Sequence, residues 1–223
     1  MNRKIILIRH GQSTYNLENR FTGWKDVELT EKGRNEAINA GKILNENNLI
    51  PDYAFTSNLK RAQHTLDIIL NEMNLTLPTT KDLALNERDY GDLIGQNKAE
   101  AALEFGDEQV QIWRRSYDVP PPGGESLKMT CERVHPYLEN AVMQKLNDYK
   151  TIIVAAHGNS IRAIVMKLFD YTPEEILKTE IGWCEPWVFT FNEDLTVKDF
   201  QIVGINQDES NSFVPREVDF SVG

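Results

Sequence analysis

Cysteine is almost absent from this 223-residue chain. Cys131 and Cys184 are the only two, their spacing matches no metal-ligand pattern, and they argue against a disulfide framework. No apolar run approaches the roughly 20 residues that cross a bilayer. The apolar stretch near the start, Ile5 to Ile8, is too short for a signal peptide and lacks a small-residue cleavage site. A cytoplasmic protein is expected. Basic residues are outnumbered, 24 against 34, for a net charge of −10. That surplus excludes a general nucleic-acid binder and a binder of anionic membranes. It leaves room for a local Arg/Lys pocket that takes a small anionic substrate. Repeats and low-complexity tracts are also missing. What remains is an ordinary globular balance, 40% hydrophobic and 26% charged, in a chain long enough to bury a core of its own.

Short β-branched runs alternate with helical patterns. Lys4–Ile8, Tyr53–Thr56, Thr151–Ala156, Trp187–Phe191 and Val197–Val203 read as strands. Thr30 can cap a helix carrying Ala37, Ala40, Gly41 and Leu44. Ser57 can cap the next, with Leu59, Ala62, Leu66, Ile69 and Met73 on one face. From Ser126 a third amphipathic helix runs through Leu127, Cys131, Val134, Leu138 and Ala141, and Pro136 should kink or split it. Between Leu83 and Gly124 the chain is polar and turn-rich, ending in Pro120-Pro121-Pro122-Gly123-Gly124. The polar tail after Gly204 reads as loosely held. The alternation predicts an α/β sandwich with a largely parallel sheet. In such folds ligands bind beyond the carboxyl ends of the strands, where the strand order reverses. Arg9-His10-Gly11 and His157-Gly158-Asn159 both follow buried strands, so two histidines distant in sequence are expected in one crevice.

Only four histidines exist. A lone histidine after a strand is often just a polar loop residue. Two in matched contexts, one beside an arginine, point instead to a phosphoryl group that Arg9 holds while His10 attacks it. Gly11 would let the anion approach the backbone, and Ser13 and Asn16 would add neutral donors. His64, off the apolar face of its helix, and His135, before a proline, read as structural. Arg61, Lys98, Arg114 and Arg115 lie in or beside turns and helix ends. Each alone reads as solvated surface, and neighbouring Arg114 and Arg115 share a ligand only if a helix end bends them together. Glu87, within Asn86-Glu87-Arg88-Asp89-Tyr90-Gly91, is either an exposed carboxylate or, beside a phosphate, a group placed for proton transfer. Tyr90 could add a phosphate hydrogen bond. There is no zinc-type HExxH and no P-loop.

Arg9-His10-Gly11-Gln12-Ser13 resembles the signature of the histidine phosphatase superfamily. Phe21-Thr22-Gly23-Trp24, Leu29-Thr30 with Gly33, Asn86-Glu87-Arg88 with Tyr90-Gly91 and Gly95, Trp113-Arg114-Arg115, Glu125-Ser126-Leu127 and Ala155-Ala156-His157-Gly158-Asn159-Ser160 follow in the order seen in cofactor-dependent phosphoglycerate mutases. The resemblance covers about three quarters of the chain, Ile5 to Phe169.

It implies a three-layer α/β/α sandwich, a single domain over residues 1–223 with a polar tail from about residue 205. It also implies interconversion of 3-phosphoglycerate and 2-phosphoglycerate, primed by 2,3-bisphosphoglycerate, in glycolysis and gluconeogenesis. His10 would carry the phosphoryl group, and Arg9, Arg61 and His157 would bind it with Ser13, Asn16, Gly158 and Asn159. Glu87 would be general acid and base. Thr22, Gly23, Tyr90, Lys98, Arg114 and Arg115 would hold the other phosphate and the carboxylate. No metal, nucleic acid or membrane partner is implied; monomers and homo-oligomers such as dimers both occur.

Three departures stand out. The stretch from Pro122 to Glu125 lacks an extra loop of about twenty residues found in longer members, an insertion folds tolerate readily. Ile181-Gly182-Trp183-Cys184-Glu185-Pro186 differs from the usual turn. The tail, from Asn206, has its own sequence, so its action as a lid is an expectation only. The rival readings are a phosphatase on the same scaffold, a bisphosphoglycerate synthase (against which Ser13 argues), a non-enzymatic relic and a metal hydrolase.

Overall fold

The computed structural model describes residues 3–204, 209–216 and 218–220. In chain order the elements are β1 (Arg3–Arg9), α1 (Thr14–Leu17), α2 (Glu31–Glu46), β2 (Tyr53–Thr56), α3 (Lys60–Glu72), β3 (Thr79–Lys81), α4 (Lys98–Phe105), α5 (Asp107–Arg115), α6 (Leu127–Tyr137), α7 (Met143–Lys145), β4 (Thr151–Ala156), α8 (Gly158–Phe169), α9 (Pro173–Lys178), β5 (Trp187–Phe191) and β6 (Val197–Ile202). Successive strand residues face opposite sides of a sheet. In β1, Ile5 and Leu7 therefore enter one core and Ile6 and Ile8 the other. The first core is closed by α6, α8 and α9, the second by α2 and α3. The result is the expected three-layer sandwich.

The strands run in the order β3-β2-β4-β1-β5-β6. β3, β2, β4 and β1 are mutually parallel, and β5 and β6 complete the sheet antiparallel. After β1 the chain passes to α2 on one face, and after β4 to α8 on the other. That divergence of neighbouring strands is the switch point where a crevice must open.

Thr30 caps α2 through Gly33 N–H (3.1 Å), as expected. Ser57 does not cap α3. The helix begins after Leu59 with no side-chain cap, and the Ser57 hydroxyl is drawn into the site instead. Pro136 sits in the last turn of α6, and the chain widens into a π-turn over Leu138–Val142. Proline has no N–H for the ladder, and the wider turn absorbs it while Leu138, Val142 and Leu146 stay buried. The turn-rich middle also holds more structure than its composition suggests. α4 and α5 form a small hairpin about Phe21, Leu93, Ala101 and Val110.

Gly11 has a different purpose from the one read in the sequence. A Cβ there would lie 2.2 Å from Gly33 O, and one on Gly33 would lie 2.1 Å from Gln12 O. The loop after β1 packs backbone to backbone on the first turn of α2, and both positions must lack side chains. Gly33→Ala is expected to cost about 1–3 kcal/mol by overpacking. A urea midpoint unchanged from wild type would refute the close-packing argument.

Cys131 and Cys184 are both buried and free. Cys184 takes a left-handed backbone (φ 54°) in the turn under β5. His135 Nε2 meets Ala163 O at 2.9 Å and His64 pairs with Glu28, both outside the crevice. No helix among the described residues is long and apolar enough to cross a membrane. The tail is fastened where it is described: Ser210 and Asn211 bond Glu185, Ser212 bonds Gly182 and Trp187, and Phe213 pairs with Glu180. Its remaining residues, 205–208, 217 and 221–223, lie outside the described residues.

Candidate active site

Register explains why the two histidines meet. Arg9 lies opposite Ala156 in the parallel pair, so His10 and His157 leave the sheet side by side. Their rings are 5.0 Å apart at 61°. His10 Nδ1 lies 2.7 Å from Gly11 O, which only accepts, so the proton sits on Nδ1 and Nε2 is bare. Arg61 Nε donates to that Nε2 at 3.3 Å. His157 Nε2 meets Ser57 Oγ at 2.7 Å. Ser57 Oγ also accepts from Leu59 N–H; with its own proton aimed at His157 Nε2, the imidazole proton lies on Nδ1. That Nδ1 is buried without a partner, and so is Arg9 Nε. Two unpaired donors beside a bare imidazole nitrogen are what an incoming oxyanion would satisfy.

Burial, then the Arg61 and Arg9 charges, push His10 well below the usual histidine range. Burial, then Arg61 and His10, do the same to His157. Both are neutral at pH 7, so His10 needs no separate base to free its lone pair. The unfolded chain binds protons below about pH 6.5 that these folded histidines refuse, so stability falls as pH drops through that value. The urea midpoint is expected to be lower at pH 5.5 than at pH 7, and the acid limb of His10 phosphorylation to lie below pH 6.5. An acid limb at 6.5 would show an unperturbed imidazole.

Arg61 is buried on α3, one turn before Thr65, which accepts from Gly11 N–H. Burial pulls its guanidinium down to about 10, against the pull of Glu87 and Asp26, so it is charged at neutral pH. Nη1 and Nη2 donate to Lys25 O (3.0 Å) and Gly23 O (2.8 Å). Arg9 donates to Ile181 O at 2.7 Å and lies 5.4 Å from the Trp183 ring.

Beside these groups lies a cavity of about 160 Å³, lined by Arg9 and Gly158 but not by the buried His10, Arg61 and His157 next to them. Its walls carry six cations, Arg9, Arg20, Lys98, Arg114, Arg115 and Arg162, against two carboxylates, Glu87 and Glu180. Asn16, Thr22, Gly23, Tyr90, Gly158 and Asn159 complete much of the rest. Ser13 does not line it; its hydroxyl caps α1 and donates to Asn16 Oδ1 (2.9 Å), which leaves Asn16 Nδ2 for a ligand. Arg114 and Arg115 end α5, where the last turn lets neighbours converge. Tyr90 Oη accepts from Arg88 (2.8 Å). Burial alone would raise its phenol, but the Arg88 charge and hydrogen bond together with the Lys98 charge hold it below its ordinary value.

Glu87 Oε1 accepts from Arg88 N–H (2.8 Å) and from both amides of Asn159 (3.0 Å each) at the start of α8. Oε2 has no hydrogen-bond partner among the described residues, and Glu87 lines the cavity. The crevice thus brings together an unprotonated imidazole nitrogen, a carboxylate and an excess of fixed positive charge. The sequence reading missed Arg162, Arg20, Glu180 and Ser57. Glu180 bridges Arg115 (2.8 Å) and Arg162 (2.7 Å) at the mouth. Arg162 could have been found from sequence, since it follows His157 by five residues on the helix the histidine opens. Ser57 could not, because its role depends on β2 lying beside β4.

A neutral histidine between arginines at the switch point of this fold defines a class. The chain belongs to the histidine phosphatase superfamily (branch 1), whose family model matches residues 5–203. More particularly, it is similar to proteins named 2,3-bisphosphoglycerate-dependent phosphoglycerate mutase. The one from Rhodopseudomonas palustris is 57% identical over 87% of this chain and 95% of its own. That from Beijerinckia indica is 52% identical over 91% and 99%. Among solved structures, the α-ribazole phosphatase of Shigella flexneri superposes with a TM-score of 0.77 at 21% identity, covering 92% of this chain and all of its own. A mycobacterial glucosyl-3-phosphoglycerate phosphatase gives 0.77 at 23%, covering 90% and 97%. At such identities these two share the fold.

Proposed function

We propose that this protein interconverts 3-phosphoglycerate and 2-phosphoglycerate through a phosphohistidine on His10, primed by 2,3-bisphosphoglycerate. The observation that carries the reading is a bare His10 Nε2, held by Arg61 and packed on His157, next in the chain to Arg9, which joins five further cations in lining one cavity. A bisphosphorylated acid presents three anionic groups, and the charge balance of the walls suits such a ligand. Two buried donors without protein partners, Arg9 Nε and His157 Nδ1, suit the group being transferred.

Nε2 attacks phosphorus in line with the leaving oxygen. Arg9, Arg61 and His157 stabilise the charge on the equatorial oxygens, and this electrostatic term is the main catalytic contribution. Glu87 Oε2 protonates the departing alkoxide and, in reverse, takes the proton from the attacking hydroxyl. Lys98, Arg114, Arg115, Tyr90, Thr22 and the Gly23 backbone hold the carboxylate and the second phosphate while the substrate turns. Gly158, Asn159, Asn16 and, through Asn16, Ser13 shape the transfer end. Arg20 and Arg162 add charge at the rim. The reading carries with it a cytoplasmic location and a place in glycolysis and gluconeogenesis.

The test is a coupled assay that follows 2-phosphoglycerate through added enolase, with phosphate release measured in parallel. Turnover of 3-phosphoglycerate that rises with catalytic 2,3-bisphosphoglycerate and resists a chelator is expected. Phosphate release without isomerisation would make the protein a phosphatase on the same scaffold.

A further inference from the structure

We infer that the Glu125–Arg133 ion pair is a positioning device for proton transfer, clamping the main chain that carries Glu87. The inference rests on the acid–base role given to Glu87 above. Neither residue lines the cavity. Arg133 projects from α6, and Glu125 stands just before that helix. All five N–H donors of the Arg133 guanidinium are used. Nε and Nη2 form a fork on the Glu125 carboxylate, at 2.9 and 2.8 Å. Nη1 donates to Ala84 O (2.7 Å) and Asn86 O (3.1 Å), and Nη2 to Glu87 O (2.9 Å). Glu125 closes the far end of the loop. Its carboxylate accepts from Asp89 N–H at 3.0 Å, and its own N–H donates to Asp89 O at 2.8 Å. A further donor, Trp24 Nε1, reaches Glu87 O at 2.6 Å.

The geometry is more than an ion pair needs. An ion pair kept for stability alone has no reason to address the carbonyls of residues 84, 86 and 87. Here the charge of Glu125 orients a planar fork whose other donors grip the peptide on either side of the proton carrier. Both side chains are 17% exposed, so solvent does little to loosen them. Burial alone would raise the Glu125 carboxyl, but the bonds and charge of Arg133 outweigh it, so the clamp stays ionised at neutral pH. Glu87 is therefore tethered twice: its main chain from α6, and its Oε1 from Asn159 on α8. Only Oε2 is left to move a proton. A proton donor must lie within hydrogen-bond reach of the leaving oxygen, and a shift of about 1 Å can cost about 100-fold. This gives a purpose to the Glu125-Ser126-Leu127 motif, which no substrate contact explains.

The test compares two phosphoryl donors in a single turnover of the full-length protein. With 2,3-bisphosphoglycerate, the Nε2–P bond forms as the P–O bond breaks; the electron pair goes to the leaving oxygen, which takes the Glu87 proton. With 2,4-dinitrophenyl phosphate the same bonds form and break, but the phenolate is stable as an anion and takes no proton. Glu87→Gln is expected to slow the first reaction and spare the second. Arg133→Lys, which keeps the charge but loses the fork, is expected to show the same selectivity: the bisphosphate reaction slowed about 10- to 100-fold, the aryl phosphate reaction unchanged within about twofold. Trp24→Phe, which removes only one donor to Glu87 O, should show a weaker version. Glu125→Gln carries the same comparison if Arg133→Lys does not fold. Equal slowing with both donors in the clamp variants, while Glu87→Gln remains selective, would make the ion pair merely structural and overturn the inference. Loss of selectivity in Glu87→Gln itself would overturn the role of Glu87, and the clamp with it.

Discussion

Replacing His10 with alanine is expected to lower phosphoryl transfer at least about 10⁴-fold and to abolish the covalent phosphoenzyme, since the nucleophile itself is gone. No other group can take over. His157, the nearest imidazole, has its Nε2 engaged by Ser57 Oγ, and with Ser57 as the donor there its Nδ1 carries the proton and offers no lone pair. The check is an intact-mass measurement after mixing with 2,3-bisphosphoglycerate, alongside the enolase-coupled rate. Wild type should gain one phosphoryl group that is stable in alkali and lost in acid, and His10→Ala should gain none. A labelled His10→Ala protein would move the nucleophile elsewhere and remove the mechanism. Folding should be little affected, because the side chain makes one hydrogen bond to its neighbour and one to Arg61.

Arg61→Met is expected to be nearly as damaging, for two reasons that separate experimentally. The first is catalytic. Removing a fixed charge aimed at the transferring group should lower kcat/KM about 10³-fold. The second is structural. The Gly23 and Lys25 carbonyls lose their donor in a dry setting, at about 1–3 kcal/mol each if they stay unpaired. The urea midpoint should therefore fall along with the rate. Lysine is not a conservative replacement, because one ammonium cannot serve His10 and two carbonyls with a planar fork. Arg61 is also the largest charge holding His10 below its ordinary range. With Arg61 gone the imidazole should gain protons more readily, and the acid limb of phosphorylation should move up in pH. A loss of less than tenfold, with that limb unmoved, would show that Arg61 faces neither His10 nor the transferring group.

The parts of this protein that could be read without a structure are those whose cause is local. β2, β4 and β5 fall where their β-branched runs lie, residue for residue. Thr30 caps the helix it precedes, since a hydroxyl at that position needs only its own next turn. The strand–His–Gly contexts pointed to a shared crevice. The ordered motifs pointed to the family, and the resemblance to four of the six cavity-lining cations. β3 escaped notice because three residues, Thr79–Lys81, bury almost nothing. α4 and α5 escaped because their apolar positions serve a small local core within a polar segment.

Other features depend on chain segments that meet only after folding. Ser57 reads as a helix cap, yet its hydroxyl is 2.7 Å from a histidine one hundred residues on, because β2 pairs with β4. Gly11 reads as an opening for an anion, yet its missing side chain makes room for Gly33. Nothing in the sequence singles out Arg133, yet it grips the main chain of Glu87. By itself the sequence determined which residue types and which local elements exist, because propensity and capping act over a few neighbouring residues. Only the tertiary structure decided which nitrogen of each histidine is free, which charges face one another and which donors remain unpaired. Those depend on register, burial and the exclusion of water, and all three arise when the sheet closes.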